Sequence, residues 1–541
     1  MSDEKYELLE KRVSQLEHEV QRLKQQNSKI TVQASKSESF HHQTKPPTKK
    51  ETKKIDWEKQ IGQVWLPRIF LFVFLIGLIW GFKAVADYGL LNELARMLLA
   101  YVLAGAALCL GIKQMKANRS GFAQVLLGGA VVIFILATFA GNMLYGYIPS
   151  SLALILNFGW ALLGIYLAHQ YNSQPIALLA GVAGFLAPFL IRSDVGNVYL
   201  FVGYELFFYL ILLMFSLRKS FRYLFIASVV LFHAAFVAFK MSPAADSTIV
   251  VTAIIIQHLT LFIAFIRLNV MKYQLAMLFT SFILTIMWVS IIHSDMYLSF
   301  LIAAILLYSS ACIYFWRNNQ EFLQVMFPIL TIAMTFFFIE LLDYKMVGIA
   351  LLLVSCTSLF VGFKLKATLQ KVIGTMVYLL SIFLIVFNGI QQLLSEETFA
   401  WVLLFVTVFF IKLLLQEHKK ELEHSVNVNG LITGLLIVHG LFMLHFLMMV
   451  GTLFTESYSA SITSLTVSFL WAIFAVTSIV YGVVKQRKPV RIFGIALIFL
   501  TLIKVIIADL PHVSMVIKAI LFLGLGGIGV LLSRLFYTER K

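Results

Sequence analysis

Residues 197–217 read NVYLFVGYELFFYLILLMFSL, and residues 218–222 read RKSFR. About 20 residues of helix cross a hydrocarbon core of about 30 Å, so the first stretch is one bilayer wide. It has no polar stripe, and a helix apolar all round belongs in lipid or in a very large core. Its one charge is Glu205, and it ends in a basic cluster, Arg218, Lys219 and Arg222. The pattern repeats along the chain. At about 20 residues per crossing, about eighteen such segments follow one another, joined by loops too short to hold a soluble domain. They are 64–83, 94–112, 122–142, 151–170, 175–191, 197–217, 221–240, 247–267, 273–293, 297–316, 322–342, 346–363, 371–392, 398–416, 426–450, 460–484, 490–508 and 514–536. The expected fold class is all-α: a polytopic helical membrane protein of about eighteen transmembrane helices with an N-terminal cytoplasmic coiled coil.

Composition agrees. The 541 residues are 60% hydrophobic and 13% charged, with 48 Phe; an average soluble protein is roughly 25% charged. The net charge of +16 sits in the N-terminal residues and in alternate loops, so it is no nucleic-acid patch. Cys109, Cys312 and Cys356 all lie in apolar segments and form no disulfide or metal-ligand pattern.

The loops carry an independent signal. Those after even-numbered spans hold Lys113, Lys116 and Arg119; Arg218, Lys219 and Arg222; Arg267 and Lys272; Lys364, Lys366 and Lys371; and Lys485, Arg487, Lys488 and Arg491. The opposite loops hold Asp246, Asp295, Asp343, Glu396 with Glu397, and Glu456. Basic loops stay cytoplasmic. No signal peptide opens the chain. Both termini are therefore expected in the cytoplasm.

Three regions are expected: a coiled coil over 1–30, a Lys-rich linker over 31–60 and the polytopic domain over 61–541. In the first, Tyr6, Val13, Val20 and Asn27 take heptad position a, and Leu9, Leu16, Leu23 and Ile30 take position d. Val at a with Leu at d favours a parallel homo-oligomer, and an Asn at a fixes register. The competing form is a single amphipathic helix on the membrane or on a membrane partner protein. In the linker, Lys45, Lys49, Lys50, Lys53 and Lys54 face anionic lipid.

Ionisable groups inside a membrane are costly and mark function by default. Glu205 lies well inside its span, and Lys504 lies deep in the seventeenth with Asp509 just beyond. Lys83 closes the first span, followed by Asp87. Glu205, Lys504, Asp509, Lys83 and Asp87 are the ion-path candidates, all expected in the outer half. Arg96, Glu340, Lys412 and Lys518 lie near span ends, where long side chains reach the interface. His233, His258, His439 and His445 are scattered, without metal-ligand spacing, and are expected to be neutral and hydrogen-bonded. No phosphate-binding loop, nucleophile motif or metal cluster appears; no cofactor, metal, nucleic acid or enzymatic activity is expected.

The stretch Trp65-Leu66-Pro67-Arg68-Ile69, with Lys83 and Asp87, resembles a large bacterial family of multi-spanning membrane proteins whose domain has no assigned function. The resemblance continues through Phe122-Ala123-Gln124 with Gly128-Gly129, Leu144-Tyr145-Gly146, Ser173-Gln174-Pro175 and Gly184-Phe185-Leu186-Ala187-Pro188. It returns at Leu502-Ile503-Lys504, Ala508-Asp509-Leu510 and Phe522-Leu523-Gly524-Leu525-Gly526. Glu205 departs from it, since similar proteins look apolar there. The resemblance implies a bacterial inner-membrane protein and no reaction. Two functions fit: an oligomeric channel or transporter for an ion or small solute, and a membrane scaffold recruiting partners through its coil. An intramembrane enzyme fits less well, for want of paired catalytic residues.

Overall fold

The computed structural model describes residues 92–191, 198–240, 247–268, 273–317, 320–422 and 427–509, with a few helical residues between 12 and 22. The chain forms two compact units, Met1–Ala84 and Val85–Lys541. The second is a run of helices. They are α1 (Glu93–Lys116), α2 (Ser120–Phe139), α3 (Ser150–Gln170), α4 (Gln174–Leu186), α5 (Val198–Lys219) and α6 (Arg222–Lys240). Next come α7 (Ser247–Leu268), α8 (Gln274–Ile292), α9 (Ser294–Phe315), α10 (Gln320–Leu341), α11 (Tyr344–Lys364) and α12 (Thr368–Phe387). The last are α13 (Glu396–Glu417), α14 (Val428–Phe454), α15 (Ala460–Val484) and α16 (Lys488–Lys504). Helix α2 runs on into a π-helical turn at Ala140–Leu144, and α16 into another at Val505–Asp509.

Among the described residues, fifteen helices are long and apolar enough to cross a membrane. Every expected span from 94–112 to 490–508 has its helix. Spans 64–83 and 514–536 lie outside the described residues, as do the linker and most of the coil. One expectation needs correction: 175–191 is not a full α-helical span. Helix α4 stops at Leu186, and Pro188 sits in a 3-10 turn, Ala187–Leu190. Proline lacks the N–H that would continue the ladder and crowds the carbonyl four residues back. Pro328, in contrast, stays buried inside α10.

Side chains such as Ile155, Ile313 and Phe387 point outward. In water that would be a fault; in a bilayer the solvent is equally apolar, and only the backbone must be satisfied internally. The largest core runs from Leu127 on α2 to Ala333 on α10. Smaller cores join α11 to α14 and α14 to α16.

Five corners between consecutive helices share one construction. Non-glycine residues in left-handed conformation occur at Asn118, Asn172, Ser220, Lys366 and Gln486. In each case the next residue's N–H donates to the carbonyl five back: Arg119 to Gln114, Ser173 to Ala168, Phe221 to Ser216, Ala367 to Gly362, Arg487 to Gly482. This is the Schellman closure of a helix C-terminus. One residue later the next helix begins. All five corners follow even-numbered expected spans; four of them carry Lys or Arg, and the one at Asn172 carries neither. Lysine and arginine at those four corners lie at the negative ends of helix dipoles.

Candidate functional site

Helices α5 to α9 enclose a set of polar side chains, each within about one turn (3.6 residues) of its helix midpoint. On α7 the chain places Gln257 and His258 side by side in an otherwise apolar run. Both are buried, as are Tyr209 on α5, Ser281 on α8 and Tyr308 on α9. The Gln257 Nε2 amide donates to Tyr209 Oη at 3.2 Å. The Ser281 hydroxyl donates to Gln257 Oε1 at 3.0 Å. His258 Nδ1 lies 3.1 Å from Ser281 Oγ, and Nε2 lies 2.8 Å from Tyr308 Oη.

These bonds determine the ring's state. Ser281 has one proton and gives it to Gln257, so it accepts from His258 Nδ1–H. The Nε2 atom then accepts from the Tyr308 hydroxyl. The donors run one way, Tyr308 to His258 to Ser281 to Gln257 to Tyr209, around a neutral imidazole. Phe262 and Phe282 wall the network on the Tyr308 side, at ring-centroid distances of 5.3 and 5.5 Å, and Phe232 stands 5.1 Å from Tyr209. His233, on α6, is buried beside Gln257 and His258. Neither of its ring nitrogens reaches hydrogen-bond geometry.

Glu205 stands one turn before Tyr209 on α5. It is fully buried, at 0% exposure, and neither carboxyl oxygen has a hydrogen-bond partner. Its neighbour Tyr204 is satisfied, donating to the Gly184 carbonyl at 2.9 Å. An unpartnered buried carboxyl costs several kcal/mol whether it is charged or merely unbonded, so such groups persist where they are used.

Lys504 is different. Its ammonium donates to the Ser464 carbonyl at 3.1 Å, to Ser464 Oγ at 3.2 Å and to Ser468 Oγ at 2.6 Å. It also lies 6.0 Å over the Trp471 ring. These contacts tie α16 to α15. The structure therefore does not bring Glu205 and Lys504 together; each belongs to a separate helix group. Asp509 ends the π-helical turn just after Lys504. Lys83 and Asp87 lie outside the described residues.

Of the remaining histidines, His439 packs on Phe405 at 5.1 Å and His445 on Trp401 at 5.7 Å. Among the described residues no three His, Cys, Asp or Glu side chains converge as metal ligands. At the starts of α11 and α13, Lys345 pairs with Glu397 at 2.8 Å; Lys366, in the corner after α11, and Lys371, on α12, approach Glu421, beyond α13, at 4.0 and 3.9 Å.

Sequence reasoning named His258 and His233 but held them apart. It missed Gln257, Ser281, Tyr209 and Tyr308. The usable signal was the adjacent Gln-His pair at mid-span, which an apolar helix has no reason to carry unless neighbours supply partners. A family model described as "Predicted membrane protein (DUF2339)" matches residues 62–424 and 393–537. No curated protein and no solved structure matches the chain.

Proposed function

The chain belongs to this family of predicted membrane proteins, and from that premise we propose that it moves a small cation or solute across a bacterial inner membrane. The observation that carries the proposal is Glu205, a carboxyl with two unpartnered oxygens buried mid-span in the largest helix bundle. A carboxylate there attracts a cation or carries a proton; as a structural brace it would need a partner. Lys504, already held by two serines, is assigned to bracing. The protein acts without enzymatic chemistry and as a homo-oligomer joined through residues 6–30.

The test is flux per reconstituted protein in liposomes, with several monovalent ions and a proton-sensitive dye, across pH 5 to 8. Glu205→Gln is expected to change selectivity or pH dependence, and Lys504→Met to leave both as in the wild type. Identical normalised flux in wild type and Glu205→Gln would remove Glu205 from the path. The scaffold function, with recruitment through the coil, would then stand in its place.

The same proposal places both termini in the cytoplasm, supported by the alternation of basic and acidic loops. Reporter fusions after Met115, Ala245, Lys345 and Gln486 are expected to read inside, outside, outside and inside. An outside signal at Gln486 would break the span count.

A further inference from the structure

We propose that His258 is a proton-binding site at mid-membrane and that Gln257 is the block that keeps this site from becoming a proton leak. The inference rests on the transport function proposed above and names the proton as the species that drives or accompanies it.

The geometry supplies both halves. His258 has a hydroxyl on each ring nitrogen, Tyr308 on Nε2 and Ser281 on Nδ1. A hydroxyl can either donate or accept. The ring can therefore take a second proton without leaving a ring nitrogen unbonded, provided Tyr308 turns its O–H away. Uptake is a pure proton transfer. Tyr308 passes its phenolic proton to Nε2 and takes one from hydronium, which leaves as water. One O–H bond breaks and one forms at the tyrosine, and His258 becomes an imidazolium. No electrons move.

Beyond Ser281 the path meets an amide. Ser281 donates to Gln257 Oε1, and Gln257 Nε2 donates to Tyr209. To pass a proton, the amide would have to be protonated on oxygen and lose a proton from nitrogen. That route runs through an imidic acid, far less stable than the amide. A proton that reaches His258 can be held and returned, but it crosses only if the helices rearrange. Such an arrangement suits coupled transport and is unsuited to a channel.

The helices around His258 carry further buried polar and titratable groups. They are Tyr209 with Glu205 one turn away on α5, His233 on α6, Ser281 and Thr285 on α8, and Tyr308 with Cys312 on α9. Among the described residues, no Lys, Arg, Asp or Glu hydrogen-bonds to the network. The change of charge at His258 is therefore not masked by a fixed counter-charge.

Two measurements on the full chain test this. The first is nitrogen NMR of histidine-labelled protein in bilayers, with the His258 signal identified by its loss in His258→Gln. A neutral ring protonated on Nδ1 is expected at pH 7.5, with a second proton taken up on acidification. Ser281→Ala is expected to shift both the tautomer balance and the titration. A ring protonated on Nε2 at pH 7.5, or no second proton at any acidic pH at which the protein stays folded and monodisperse, would overturn the proposal.

The second is proton entry into liposomes under a potassium diffusion potential. Wild type is expected to conduct slowly. Gln257→Glu, which replaces the amide with a proton-exchanging carboxyl, is expected to conduct at least tenfold faster. Adding His258→Gln should abolish the gain. A fast wild type, or a Gln257→Glu protein that is monodisperse and no faster, would overturn the block. If wild type moves no ion or solute in any assay, the transport function fails, while the NMR result still decides whether His258 binds a proton.

Discussion

Gly482→Ala is expected to destabilise the protein out of proportion to the single methyl group added. Gly482 occupies the tight corner between α15 and α16, where its carbonyl accepts from the Arg487 N–H at 2.8 Å. A Cβ there would lie 2.7 Å from the Arg491 backbone nitrogen and 2.9 Å from its Cα. Neither atom can rotate away, so one helix must move off the other. Overpacking of this kind costs about 1–3 kcal/mol and more when backbone is the obstacle; about 3 kcal/mol is expected here. Two other glycines calibrate the effect. At Gly362, in the corner between α11 and α12, the nearest atoms are Lys371 Cγ at 3.0 Å and its backbone nitrogen at 3.1 Å. Gly362→Ala should therefore cost less. At Gly434, on α14, a Cβ meets nothing within 4 Å. Gly434→Ala should be neutral or stabilising by up to about 1 kcal/mol, from helix propensity. Thermal unfolding of detergent-extracted protein, followed by size exclusion, reads the order 482, 362, 434. Equal midpoints for Gly482→Ala and Gly434→Ala would mean that the corner is looser than described.

At Lys504, removing an acceptor is expected to do more harm than removing the charge. Ser468→Ala deletes the shortest contact of the ammonium, at 2.6 Å, and leaves a cation short of a partner inside the membrane. Hydrogen bonds to charged groups are worth about 1.5–3 kcal/mol, and about 2 kcal/mol of that should appear as lost stability. Lys504→Met instead replaces the ammonium with an apolar chain of similar length. The two serine hydroxyls can then close on carbonyls of their own helix, as Ser478 already does with Phe474 at 2.8 Å. A cost below about 1 kcal/mol follows. Combining both changes should cost little more than Lys504→Met alone, since the serine matters only while the ammonium is there. The double-mutant cycle checks this. Strict additivity, or a Lys504→Met protein less stable than Ser468→Ala, would show that Lys504 does more than brace α16 against α15.

The membrane class, the order of the helices and most of their ends were legible in the sequence. The reason is that lipid imposes a local rule: about 20 apolar residues per crossing, satisfied one segment at a time. Where the rule met a second local constraint the outcome shifted, as when Pro188 ended α4 early. The identical corners were only half legible. Basic residues marked four of the five, but the small residue four positions before the left-handed one, as at Ala168, Ser216, Gly362 and Gly482, acquires meaning only when the next helix lies against it. The sites were legible in type and illegible in grouping. Glu205 and Lys504 were both visible as charges in spans. One charge is unbonded and the other is bonded to two serines, and that difference is made by residues 40 and 36 positions away from Lys504. Likewise His258 meets Tyr308 across 50 residues and Ser281 across 23. Hydropathy is a property of each segment. Which polar face meets which is set by how the helices turn and pack against one another, and only the tertiary structure decides it.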